Sequence, residues 1–220
     1  MGLIKEIIPN RPAIEFGLEV RSIWLRLIMN PTESLCKLIN KHISILKQKY
    51  MIGVQLRLGG SKANFKERPM LSNYGIEHAE YLIRRQVRKM NLDWNDVYIF
   101  VSSDSDYAVS KIRRDFIMKN NISVIYTVED FEIGHSAQAK TSKQGKSIWA
   151  RYTKRAIMDL MILKESDYYI YSKRSSFGKF ALELQKAYGS DIDVSKFLYS
   201  KGLNCSVYHK RDTVGLANYI

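Results

Sequence analysis

Four short apolar runs constrain this chain most. They are YMIGVQL (50–56), DVYIFVSS (96–103), ISVIYTV (122–128) and DYYIY (167–171), each followed after a loop by a stretch with helical rhythm. Unbroken apolar runs of this length, bounded by turn signals, fit strands buried on both faces. The helical stretches fall at about 76–91, 105–120, 148–166 and 175–188, and LNCSVYH (203–209) reads as one further strand. Alternation of strand and helix implies right-handed crossovers and a mostly parallel sheet with helices on both faces. The expected fold is α/β and Rossmann-like.

Ahead of the first strand the chain reads as helical. Val20, Ile23, Trp24 and Leu27 recur at spacings of three and four, Asn30-Pro31-Thr32 interrupts, and Leu35, Leu38, Ile39, Ile43 and Leu46 resume the pattern. The chain therefore divides into a helical lead-in over 1–49 and a Rossmann-like domain over 50–220. Its 220 residues are enough for one domain with a sizeable core. No run reaches about 18 apolar residues, the length a membrane span needs, and MGLIKEIIPNRP lacks a signal-peptide pattern. The 35 Lys and Arg against 22 Asp and Glu give a net charge of +13, which favours anionic partners without choosing among them. Residues 130–147 are polar and basic and read as a loop.

Metal and nucleophile patterns are missing from the sequence. Cys36 and Cys205 stand far apart, and His42, His78, His135 and His209 form no ligand cluster. Walker A, GxGxxG and GxSxG spacings are absent, which argues against a P-loop nucleotidase, a dinucleotide oxidoreductase and an α/β-hydrolase.

Doubly wound sheets bind ligands at the carboxyl ends of their strands, so the residues just past each run are read together. They are Arg57 with Gly59 and Gly60, then Ser103 and Asp104, then Lys173 to Ser176. Arg57 is either a surface ion-pair former or a guanidinium that grips a diphosphate bidentately. Ser175 or Ser176 suits a helix N-cap, and a helix N-terminus also suits phosphate. Lys173 and Arg174 raise the local potential, and Gly178 permits close approach of another group. Asp104 reads first as a cap for the following helix. Asp159 sits among apolar residues in AIMDLMIL, where an unpaired carboxylate is expensive: it meets the paired N–H donors of a guanine edge, pairs with an Arg or Lys, or turns toward solvent.

Three segments, in order, resemble the GDP-fucose-dependent fucosyltransferases of the α1,2, α1,6 and protein-O type. IGVQLRLGGS (52–61) looks like that family's apolar strand ending in an arginine. VYIFVSSDSD (97–106) is similar to its strand ending in a small residue and an acid. RYTKRAIMDLMILKESDYYIYSKRSSFGKFALEL (151–184) looks like its helix, Asp, strand and Ser-Ser-Phe-Gly. WLRLIMNPTESLCKLI and Gln55 also resemble the branch acting on plant wall polysaccharides, and the likeness covers roughly 18–188.

The resemblance implies a donor-binding lobe of GT-B type, with residues 50–220 holding a GDP-sugar. It implies transfer of fucose from GDP-fucose to a hydroxyl of a glycan or glycoprotein acceptor, with inversion and no metal cofactor. Arg57 would bind the pyrophosphate and act catalytically on the leaving GDP. Gln55, Gly59, Asp104, Asp159, Ser175, Ser176 and Phe177 would complete the donor site, with Asp159 reading guanine. A secretory-lumen location follows from the same likeness, and no nucleic-acid partner does. No general base is identified, and Glu67 reads as a solvated charge. The family's other lobe, which carries acceptor contacts, has no counterpart here beyond residues 1–16. A nucleotide- or glycan-binding remnant without turnover is therefore the alternative, ahead of a basic nucleic-acid binder.

Overall fold

The computed structural model describes residues 29, 31–59, 71, 73–120, 125–128, 131, 133, 145–188 and 216–219. The elements are α1 (Glu33–Leu46), β1 (Tyr50–Leu56), α2 (Asn73–Lys89), β2 (Val97–Ser103), α3 (Asp106–Asn120), β3 (Ile125–Tyr126), α4 (Gly145–Leu163), β4 (Tyr168–Tyr171), α5 (Ser176–Tyr188) and β5 (Leu216–Tyr219). The five strands form one parallel sheet in the order β3-β2-β1-β4-β5. The chain starts at the central strand, runs outward through β2 and β3, then returns to the other side of β1 with β4. Right-handed crossovers in opposite directions put the connecting helices on opposite faces. The result is an α/β, doubly wound fold.

Two apolar layers show this sorting. Side chains alternate across each strand. Ile52, Val54 and Leu56 of β1 therefore join Ile76, Ile83, Ile112 and Phe116 of α2 and α3. Met51 and Phe100 face the other way, onto Ile39, Met158, Met161 and Leu184 of α1, α4 and α5. The helix α1 thus packs directly on the sheet's second layer. Its apolar spacing gives the reason: Leu35, Ile39, Ile43 and Leu46 lie along one side and are all buried.

One glycine sets how closely these layers approach. A Cβ on Gly53 in β1 would fall 2.0 Å from Ser166 Oγ and 3.2 Å from Leu163 Cδ2. The turn that ends α4 therefore lies on bare backbone. Gly53→Ala is expected to destabilise the chain by about 1–3 kcal/mol through overpacking. Chemical denaturation of the variant, with and without Ser166→Gly, checks this, and the second change should recover part of the loss.

Element boundaries depart from the sequence expectation in places. The third strand pairs over two residues only, Ile99↔Ile125 and Phe100↔Tyr126. Beyond them Val128 O accepts from the Arg155 guanidinium, so this carbonyl serves a side chain instead of a ladder. The helix α4 begins at Gly145, inside the segment read as loop, and stops at Leu163. Its last residues tighten into a turn, with Ser166 N–H donating to Leu163 O at 3.1 Å. The fifth strand is LANY at 216–219. The strand expected at 203–209, the helix around 20–27, and Gly60, Glu67, His135, Cys205 and His209 lie outside the described residues. Among the described residues no helix is long and apolar enough to cross a membrane.

Candidate functional site

The strand order reverses between β1 and β4, and open α/β sheets leave a crevice at such a point. A cleft of about 590 Å³ lies there. Its floor is the carboxyl ends of β1 and β2, with Gln55, Arg57, Ser102, Ser103 and Asp104. One wall is α4, with Trp149, Tyr152, Arg155 and Asp159; the other is the start of α5, with Arg174 to Phe177. Of the eight candidate residues, seven line this one cleft: Gln55, Arg57, Asp104, Asp159, Ser175, Ser176 and Phe177. Gly59 is not part of the lining; it stands in the turn after Arg57, at φ 64°. That left-handed backbone costs glycine little and other residues more.

Arg57 is held from two directions. Its N–H donates to Ser172 Oγ at 2.9 Å, which ties the ends of β1 and β4 together. Its guanidinium meets Asp104 Oδ2 at 3.1 Å. Asp104 does not cap α3, contrary to the first sequence reading. Its carboxylate accepts from Leu58 N–H at 2.8 Å and Gly59 N–H at 3.0 Å. Parallel register explains this. The last β1–β2 pair is Leu56↔Ser103, so the next step sets Asp104 beside Arg57. The cap-like contact before α3 belongs to Ser103, whose Oγ accepts from Ser105 N–H at 3.1 Å.

Ser175 is the N-cap of α5. Its Oγ accepts from Gly178 N–H at 3.1 Å, three residues on, and its side chain is buried. Ser176 is exposed at the first helical position. Helix starts leave N–H groups without intrahelical acceptors and carry partial positive charge, so this wall presents donors to the cleft. Gly178 permits a close approach, as its type suggested, and the approaching groups are the protein's own. A Cβ there would lie 2.7 Å from Gln55 Oε1 and 2.9 Å from the Tyr171 ring. The exposed Arg174 joins the lining, whereas Lys173 does not.

Asp159 pairs with Arg155, one of the alternatives its setting left open. Its Oδ1 accepts from Arg155 Nε at 2.9 Å and its Oδ2 from Ser102 Oγ at 2.7 Å. Only 4% of the residue is exposed. Burial pushes its pKa up, opposed by the Arg155 cation and the Ser102 hydroxyl. The rest of the Arg155 guanidinium bonds to Phe131 O, Thr127 Oγ1 and Val128 O, all just past β3. Ser102, Arg155 and Asp159 thus join β2, the segment after β3, and α4 into one polar wall. Sequence reasoning missed Arg155 and Ser102. Arg155 was visible as the i−4 neighbour of Asp159 on one helix face.

Gln55 is 3% exposed, and its Oε1 has no hydrogen-bond partner among the described residues. Buried polar atoms are nearly always paired; this oxygen is enclosed against Gly178, while the residue as a whole lines the cleft floor. Trp149, Tyr152 and Phe177 add aromatic surface around the opening.

No protein-family model and no curated protein matches the sequence. Among solved structures, the chain is similar to NodZ α1,6-fucosyltransferase co-crystallised with GDP, at 14% identity and a TM-score of 0.42. It is similar to fucosyltransferase NodZ from Bradyrhizobium at 15% and 0.41; both overlaps cover 68% of this chain and 41% of the other. NodZ α1,6-fucosyltransferase soaked with GDP-fucose matches at 18% identity and 0.39, covering 66% and 41%. This chain thus spans about two fifths of the length of those structures. Its own cleft residues carry the functional reading.

Proposed function

We propose that this chain is the donor-binding lobe of a fucosyltransferase-like glycosyltransferase, holding GDP-fucose and passing fucose, with inversion, to a hydroxyl of a glycan or glycoprotein. The observation that carries this reading is convergence at the switch point. A guanidinium on one strand end and a helix N-terminus on the next face the same cleft. That pair suits a diphosphate flanked on two sides.

The roles follow from position. Arg57 grips the pyrophosphate and offsets the charge that grows on GDP as it leaves. The first N–H groups of α5, with Ser175 and Ser176 beside them, take the remaining phosphate oxygens. These groups supply the positive charge, so the reading invokes no metal. Asp159 keeps unused lone pairs on both oxygens and presents a carboxylate to guanine's N1–H and N2–H₂ edge. Gln55 completes the floor beneath the donor. Phe177 flanks the nucleotide, with Tyr152 and Trp149 across the opening. A secretory-lumen location belongs to the same reading.

Competition calorimetry tests the donor. GDP-fucose should bind more tightly than GDP-mannose and the UDP-sugars; equal binding of all three would contradict the proposal. A second reading, nucleotide binding without transfer, has one observation in its favour. Among the described residues, both carboxylates that line the cleft, Asp104 and Asp159, are engaged with arginines, so neither stands ready as a base for the acceptor. Release of GDP from GDP-fucose in the presence of acceptor glycans decides between the two.

A further inference from the structure

We infer that Asp104 is a positioning residue that acts through Arg57, presetting its guanidinium and turn for an anion before the ligand arrives. The inference rests on the reading of the cleft as a diphosphate site. Three donors converge on the one carboxylate: Leu58 N–H at 2.8 Å, Gly59 N–H at 3.0 Å and Arg57 Nη1 at 3.1 Å. Both oxygens are used, Oδ1 by Leu58 and Oδ2 by Gly59 and Arg57.

Chain geometry makes this arrangement rigid. Parallel pairing of β1 with β2 delivers Asp104 to Arg57, and Gly59 at φ 64° turns the chain so that two successive N–H groups face one carboxylate. Arg57 has its own N–H fixed on Ser172 Oγ, so backbone and side chain are pinned independently. The Arg57 and Asp104 side chains are 17% and 12% exposed, so water screens the pair only in part. A long arginine otherwise loses rotamer freedom on gripping its ligand. Here much of that freedom is already gone, and a preorganised fork binds more tightly for it. The Asp104 carboxylate also partly neutralises the guanidinium. Both residues line the cleft.

Inorganic pyrophosphate probes this grip without the nucleoside. Its affinity is measured by calorimetry for the wild type, Asp104→Asn, Arg57→Lys and the double variant, together with unfolding midpoints. Asp104→Ser, which keeps a short acceptor, gives the same comparison should the amide variant fail to accumulate. With Arg57 present, Asp104→Asn should weaken pyrophosphate by about tenfold, the loss of part of one charge-assisted contact. In the Arg57→Lys background, where no fork remains to be set, the same change should alter affinity less than about twofold, since only coupled residues fail to add. Equal losses in both backgrounds would make Asp104 a mere brace of the loop and overturn the inference. Tighter binding by Asp104→Asn, or no binding of pyrophosphate by the wild type, would overturn it as well. Pyrophosphate binding without GDP binding would remove the nucleotide reading and leave the role of Asp104 standing.

Discussion

Arg57→Ala is expected to weaken GDP binding by about 100-fold or more. Hydrogen bonds to charged groups contribute roughly 1.5–3 kcal/mol each, and a guanidinium facing a diphosphate makes two. The variant also leaves the Asp104 carboxylate without its arginine at the floor of the cleft, where it repels the incoming anion. Folding should survive, because Asp104 keeps the N–H donors of Leu58 and Gly59 and the residue-57 N–H still reaches Ser172. The measurement is a calorimetric titration with GDP, alongside an unfolding midpoint near that of the wild type. A variant that folds and binds GDP as the wild type does would remove Arg57 from the site.

Asp159→Ala should cost stability first, by about 3–5 kcal/mol, because it leaves the Arg155 charge buried without its carboxylate. Of the two side chains, each about 5% exposed, neither can turn to solvent without moving α4. The Ser102 hydroxyl loses its acceptor in the same step. Replacing the pair together, as Arg155→Met with Asp159→Leu, should recover much of the loss, since apolar substitutes of similar volume often match buried ion pairs. Urea denaturation of the single and double variants measures this. Guanine selectivity gives the second readout: the double variant should fold and bind GDP and UDP alike. If it retains the wild-type preference for GDP, Asp159 is structural only.

The sheet was legible in the sequence because parallel strands buried on both faces leave unbroken apolar runs, and β1, β2 and β4 start and end within a residue of those runs. The third strand was less so. Its pairing depends on where Arg155, some 28 residues further on, takes the Thr127 and Val128 acceptors. LANY, the fifth strand, is short and carries little apolar signal against its surroundings.

Within the cleft, residues at strand and helix ends could be placed by rule, as Arg57, Ser175 and Phe177 were. Partnerships could not. Asp104 resembled a cap because the next helix follows closely, and only the register of β1 against β2 shows it serving the Arg57 turn instead. Asp159 required a partner by burial, and the choice of Arg155 is a matter of rotamer and packing. Of the two cations read as raising the local potential, Arg174 lines the cleft, while Lys173 stays outside its lining.

The reading stands most directly on one titration: GDP against UDP, with the wild-type chain. It predicts saturable 1:1 binding of GDP and clearly weaker binding of UDP, because the strand-end cation and helix start hold the diphosphate while Asp159 selects the base. No heat from GDP, or equal affinities for the two nucleotides, would contradict it.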